Sequence, residues 1–261
     1  MSLKERVREL NGRPFRKDGR YVLYWIQANR RVEANHALLW AAELANQLDL
    51  PLLCLEQLCA PNAEAGDRQY TFVLEGVPER EKSFRRLGAG YVFHLGEGKP
   101  QSPDVLKLLA GEAAAVVTDD HPTLARFPDV AVACFAVDSS CIVPMALIGK
   151  LEYAAYTIRS KIHRQLDRCL QMPLLPRLRR RWQEPPPPFH FPVREASISK
   201  IVAACPINHR VAPSLTFSGR RSDALKHLER FLQQRLHRYA RLRNEPPAHA
   251  TSDLSPSCTT A

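Results

Sequence analysis

The sequence predicts an α/β fold: a doubly wound parallel sheet of five strands, followed by a linker and the first helices of a second, all-helical region. Three observations predict it. Between residues 20 and 149, short β-branched and aromatic runs alternate with helix-period segments. The links between them are short, so successive strands run parallel with right-handed crossovers. After Lys150 the strand patterns stop and amphipathic, basic helical patterns take over. The expected divisions are an N-terminal extension over 1–19, an α/β domain over 20–149, a basic, proline-rich connector over 150–200 and a helical region over 201–261.

Residues 21–27, YVLYWIQ, contain no breaker and read as a buried strand. A polar loop, ANRRVEAN, leads into a helix over His36–Leu48, with Leu38, Leu39, Ala42, Leu44, Ala45 and Leu48 on its apolar side. Pro51 opens a second strand, LLCLEQ. Residues 67–87 carry an amphipathic helix around Phe72, Val73, Leu74, Val77, Phe84 and Leu87, and Tyr91–Leu95 is the third strand. Pro103 stands in the first turn of a helix through Leu109, where its missing donor costs nothing. Ala114–Thr118 is the fourth strand, ending on Asp119 and Asp120. Val130–Val137 is the fifth, ending on Asp138.

Ligands in such sheets sit beyond the carboxyl ends of the strands. That places Gln27–Glu33, Thr118–His121 and Asp138–Cys141 around the expected crevice. The first loop has neither G-x-G-x-x-G nor a P-loop, which disfavours the usual dinucleotide and ATP devices. Asp119, Asp120 and Asp138 read as caps and loop acids ahead of a cation site.

Residues 151–170 are helical in pattern and rich in Arg, Lys and Tyr. The run LPRLRRRWQEPPPPFHFP follows. Its four prolines favour an extended, semi-rigid connector, with a ligand for an SH3-type module as the sharper alternative. Ser222–Leu242 reads as one helix, with Ala224, Leu225, Leu228, Phe231, Leu232, Leu236 and Tyr239 on one stripe. Arg230, Arg235, Arg238 and Arg241 lie on its other face. One helix cannot bury that stripe by itself.

The net charge is +10, and between Lys150 and Arg243 20 Lys and Arg face 6 Asp and Glu. Such a bias suits a polyanion partner, nucleic acid first, against a merely solvated basic surface. The seven cysteines are scattered, odd in number and without C-x-x-C, as for reduced thiols in a cytoplasmic protein. No Cys/His pairs have zinc spacing, so no metal is expected. No uncharged apolar run is long enough for a membrane span, and MSLKERVREL lacks the apolar centre of a secretory signal.

The segment YVLYWIQANRRVEANHALLWAAELANQLDLPLL resembles the opening of the class II deoxyribodipyrimidine DNA photolyases, of the photolyase/cryptochrome family. YTFVLEGVPEREKSFRRLG, AAVVTDDHP, and FAVDSSCIVP with LEYAAYTIRSKI agree in order. FLQQRLHRYARLRNEPPAHATSDLSP looks like the family's entry into its flavin-binding domain. The resemblance runs from Arg20 to Pro256. Ala34, Cys141, Ala146 and Gly149 depart from the family's strand-end motifs.

The resemblance implies a Rossmann-like α/β domain with an optional antenna chromophore of deazaflavin or folate type. An all-α domain follows, in which FAD drives the light-dependent splitting of cyclobutane pyrimidine dimers flipped out of DNA. It implies a protein that is monomeric when intact. Tyr239 matches the aromatic that lies along the flavin, and Thr251, Ser252, Leu254 and Ser255 match the segment that holds the FAD phosphates. Small polar residues at a helix start suit a pyrophosphate, although TSDLS by itself reads as an ordinary N-cap. No catalytic residue maps onto the chain. Trp25, Trp40 and Trp182 are not the family's electron-transfer tryptophans.

The family continues Leu-Ser-Pro with Tyr-Leu-His, whereas this chain has Leu254-Ser255-Pro256 and then SCTTA. Loss of one base from codons for Pro-Tyr-Leu-His-Tyr-Gly yields Pro-Ser-Cys-Thr-Thr-Ala, so truncation by a frameshift is the expectation. On that expectation the chain alone lacks repair activity. The alternatives are a non-enzymatic α/β module that binds an antenna pigment or a nucleotide, and a nonfunctional remnant.

Overall fold

The computed structural model describes residues 3–58, 65–96, 104–121, 127 and 129–257. Cys59, Pro103 and the Cys258–Ala261 tail, each given a reading above, lie outside the described residues. The chain divides into two compact units. Met1–Leu58, Ser83–His94 and Gln101–Phe191 form the first; Cys59–Lys82, Leu95–Pro100 and Pro192–Ala261 form the second.

The first unit is built on six strands: β1 (Val7–Glu9), β2 (Tyr21–Ile26), β3 (Leu52–Leu58), β4 (Gly90–Leu95), β5 (Ala113–Asp119) and β6 (Ala133–Val137). Their order is β1-β6-β5-β2-β3-β4. The pairs β2/β3, β2/β5 and β5/β6 are parallel. The order reverses between β2 and β5, which makes their carboxyl ends the switch point. The expected count of five is short by one. β1 runs antiparallel to β6, with Val7 opposite Val137. A three-residue edge strand with two charged members carries no readable period, so the sequence does not announce it. Val130–Val132, expected in the last strand, precede it. Asn11 Nδ2 donates to the Val130 and Val132 carbonyls at 3.3 and 2.8 Å instead.

β2 and β5 are buried almost throughout, as their unbroken apolar runs require for strands covered on both faces. Helices α1 (His36–Gln47), α3 (Val105–Glu112) and α4 (Ala155–Cys169) belong to this unit, while α2 (Asp67–Leu87) begins in the second unit and ends in the first. Asn35 caps α1 by accepting from Leu38 N at 2.9 Å, and Asp104 caps α3 through Lys107 N at 3.2 Å. Leu23, Leu53, Leu55, Val92, Leu109 and Val116 lie in one core cluster.

The basic, proline-rich stretch after α4 has neither helix nor strand, and it is pinned along the first unit. Asn46 binds the backbone of Arg177 and Arg179, Arg180 pairs with Asp49 at 2.6 Å, and Trp182 N donates to Gly88 O at 2.8 Å.

The second unit contains α5 (Ile198–Ala204), α6 (Arg221–Gln234) and α7 (Leu236–Leu242). The single helix expected over Ser222–Leu242 is broken at Arg235, whose φ of −123° leaves the helical range. The apolar stripe stays open: Leu225, Leu232 and Leu236 are 44%, 51% and 49% exposed. Elsewhere the unit packs closely. A Cβ on Gly219 would stand 1.6 Å from the Phe72 carbonyl oxygen, so only glycine fits there. No helix among the described residues is long and apolar enough to cross a membrane.

Candidate functional site

At the switch point Asp119 ends β5 with no exposure. One of its oxygens accepts from the backbone N–H groups of Gln27, Ala28 and Asn29 at 2.9, 2.8 and 3.1 Å. The other accepts from Tyr24 Oη at 3.1 Å and Asn29 Nδ2 at 3.2 Å. Three successive amides converging on one anion form a nest of the kind that elsewhere cradles phosphate. Here the chain's own carboxylate fills it. Burial, followed by the Asp119 charge, raises the Tyr24 hydroxyl well above its ordinary pKa and keeps it a donor.

The α1 N-terminus is closed in the same way, since Ser139 Oγ accepts from Ala37 N at 2.8 Å beside the Asn35 cap. Asp138 accepts from Ser140, Cys141 and Met145 N at 3.2, 3.0 and 2.9 Å and shapes the loop after β6. Asp119 and Asp138 thus organise loops. Asp120 pairs with Arg8 at 3.1 Å. Among the described residues no three His, Cys, Asp or Glu side chains group in a way that could hold a metal.

Beside these loops lies a cavity of about 230 Å³. Arg6, Arg31, Ala34, His36, Cys141 and Met172 are among its lining residues, and none of those residues is acidic. Arg31 donates to Ser139 O at 2.7 Å, Asn29 Oδ1 at 2.8 Å and Ala34 O. Arg6 is 3% exposed and donates to the carbonyls of Asp138, Cys141 and Ile142, while its Nε has no partner. Burial, with Arg6 and Arg31 adding to it, pushes the His36 pKa down to about 4, so the imidazole is neutral at pH 7. The cavity lining therefore combines the cationic Arg6 and Arg31 with apolar Met172 and Leu170. It can take a ligand with an anionic or acceptor edge.

Of the expected crevice segments, the loops after β2 and β6 do meet here. Arg6 was not foreseen: it comes from the supposed extension, and a lone arginine in LKERVREL gives no signal. Glu56, at the end of β3, was also missed. It is fully buried, pairs with Arg30 at 3.0 Å and accepts from Tyr91 Oη at 2.6 Å. A glutamate directly after the apolar run Leu52–Leu55 was the available hint.

In the second unit Tyr239 lies on α7, its ring edge-on to Phe231 at 5.7 Å with the Arg243 guanidinium 5.9 Å from its centre. Thr251–Ser255 follows as an irregular segment. Asp253 has φ +59°, Ser252 Oγ accepts from Leu254 N at 3.4 Å, and one 3-10 turn, Ser255–Ser257, comes next. Arg235, at the helix break, organises the segment by donating to Thr251 O at 3.1 Å and Asp253 Oδ2 at 2.5 Å.

Residues 22–186 match the family described as DNA photolyase. A deoxyribodipyrimidine photo-lyase of Methanothermobacter thermautotrophicus is 34% identical over 263 residues, covering 97% of this chain and 56% of that protein. Among solved structures, a bacterial class III photolyase from Agrobacterium tumefaciens is similar in fold with a TM-score of 0.56. Identity is 17%, over 92% of this chain and 50% of that one. An archaeal photolyase from Sulfolobus tokodaii with two FAD molecules gives a TM-score of 0.54 at 14% identity, over 92% and 51% of the two chains. The chain spans about half the length of these relatives.

Proposed function

The chain belongs to the DNA photolyase family, and from that premise we propose that it serves a light-driven deoxyribodipyrimidine photo-lyase, which splits cyclobutane pyrimidine dimers in DNA. The observation that carries this reading is the 34% identity to a named photo-lyase across almost the whole chain. The working protein is cytoplasmic and monomeric, and its basic surface meets the DNA backbone.

FAD, when bound, supplies the photoexcited electron that opens the dimer. The chain's own part is to hold it. Thr251, Ser252 and Ser255 offer hydroxyls to its phosphates. Arg235 neutralises Asp253, so the carboxylate inside the segment does not repel them. Leu254 fixes the turn, and Tyr239 presents its ring toward the flavin. These residues fit the diphosphate end of the cofactor and cover only the start of its site.

The cationic cavity supports a second role for the first unit. We assign it to an antenna chromophore, with Arg6 and Arg31 facing an anionic edge and Met172 and Leu170 facing a flat ring. Ala34 and Cys141, which depart from the family's motifs, line this cavity and so set which pigment fits.

The test is to purify the chain, record its visible absorption, and illuminate it with a dimer-containing oligonucleotide. A flavin band and dimer repair are the two readouts. Both are expected when the rest of the Methanothermobacter relative is joined after Ser255. A joined protein that binds FAD yet leaves dimers intact would overturn the reading.

A further inference from the structure

We propose that a cavity at the amino ends of the strands binds a small quaternary ammonium compound, its charge set against the Trp182 ring and opposed by Glu112 and Glu184. The cavity measures about 500 Å³, a usual size for a small-molecule site. Among its lining residues, Tyr21 opens β2, Leu53 is second in β3 and Glu112 closes α3 just ahead of β5. These strands are parallel, so the cavity lies at the opposite end of the sheet from the switch-point loops. The inference therefore rests on neither the flavin reading nor the antenna reading.

Three aromatic side chains line it: Tyr21, Trp182 and Phe189. The rings of Tyr21 and Trp182 meet edge to face at 5.6 Å. The indole is held in place. Its Nε1 donates to Glu184 O at 2.8 Å, and the Trp182 backbone N–H donates to Gly88 O at 2.8 Å. Gly90 lets the ring come close, since a Cβ there would stand 2.6 Å from it. A ring fixed in advance loses little freedom when a ligand arrives. Among the described residues no cation lies over the Trp182 ring.

The rest of the lining decides the ligand's charge and shape. Glu112 and Glu184 share one guanidinium, that of Arg20, at 2.8 and 2.7 Å. Two carboxylates against one cation leave an unbalanced negative charge, which disfavours an anion. All three side chains are about half exposed, so this clasp is weak and exchangeable. Two carbonyls beside the rings are engaged: Leu109 O accepts from Tyr21 Oη at 2.9 Å and Glu184 O from Trp182 Nε1. A primary amine or a guanidinium would bring N–H donors that need further acceptors. A quaternary ammonium brings none. Its methyl groups spread the charge against aromatic faces and the carbons of Pro185–Pro188.

The experiment is saturation-transfer NMR of the 261-residue chain titrated with choline and read at the N-methyl signal. Choline's neutral isostere, with tert-butyl in place of trimethylammonium, is titrated in parallel. Saturable choline binding is expected, with the isostere weaker by roughly fivefold or more. Trp182→Leu should weaken choline roughly fivefold. Glu112→Gln should weaken it about twofold or more, and Arg20→Gln should tighten it by a similar factor, because both carboxylates then face the ligand without a competing cation. A clasp that only ties the chain together would instead give weaker binding in both of these variants. Both are surface substitutions, checked by circular dichroism, so the proposal is still tested if Trp182→Leu does not fold. Choline signals that do not saturate would overturn the proposal, as would Arg20→Gln weakening the binding. Equal affinity for choline and its isostere would overturn it in favour of a neutral apolar ligand.

Discussion

Replacing Asp119 by alanine removes the anion on which the loop after β2 is wrapped. Five donors lose this acceptor together: the amides of Gln27, Ala28 and Asn29, the Tyr24 hydroxyl and Asn29 Nδ2, the last two keeping Asn29 O and Ser140 Oγ as second acceptors. A hydrogen bond to a charged group is worth about 1.5–3 kcal/mol, and an orphaned buried donor costs about 1–3. Water entering the vacated space will satisfy some of them, so the expected loss is about 4 kcal/mol. That is a large share of the roughly 5–15 kcal/mol that holds a typical domain.

The geometry makes a sharper demand. Without the side chain, the three converging amides become an open nest, and formate should enter it. At ten times its dissociation constant formate should restore about 1.4 kcal/mol. Urea unfolding followed by circular dichroism, with formate titrated against chloride at equal ionic strength, reads both effects. A loss below about 1 kcal/mol refutes the wrapping. Equal formate responses in parent and variant refute the nest.

Ala34 holds φ +51°, where a β-carbon is strained, so Ala34→Gly should raise stability by about 0.5 kcal/mol after glycine's extra chain entropy, read as a higher urea midpoint. Glu56→Gln breaks the ion pair between fully buried Glu56 and part-buried Arg30 and should cost about 3 kcal/mol in the same assay. Gly219→Ala drives a methyl into the Phe72 carbonyl and should cost about 2 kcal/mol or more, read by thermal melting of the second unit. His36 has its pKa lowered to about 4 by burial first and the two arginines second, so the unfolded chain binds its proton more readily than the folded one. Its contribution to stability is full above about pH 6.5, shrinks as pH falls, and is lost through about 4. His36→Gln should flatten the urea midpoint against pH across that window.

Strong patterns made most of the sheet legible. YVLYWI and the AAAVV of AAAVVTD carry no charged or amide side chain, and both proved to be buried parallel strands. The loop acids were legible too, because an aspartate at a strand end has nearby backbone amides to accept from. What escaped depended on partners far away in the chain. β1 exists because β6 offers it an edge, and Arg6 is buried because the loop after β6 supplies three carbonyls. The helix over Ser222–Leu242 has an unbroken period, yet it breaks at Arg235, where Thr251 and Asp253 take the side chain. Periodicity is a local signal, and each of these outcomes is decided by a long-range contact.

The short antiparallel strand at the sheet's margin has a practical consequence. β1 covers the ladder of Ala133–Val137 and carries Arg8 and Glu9 outward. Charged residues on a short final strand are a known guard against edge-to-edge pairing of strands from separate molecules. Trimming residues 1–19 to make a tidier expression product would uncover an apolar five-residue rim and take Arg6 out of the cavity. The trimmed protein should precipitate at concentrations where the parent stays clear. Affinity tags are therefore best kept away from this end.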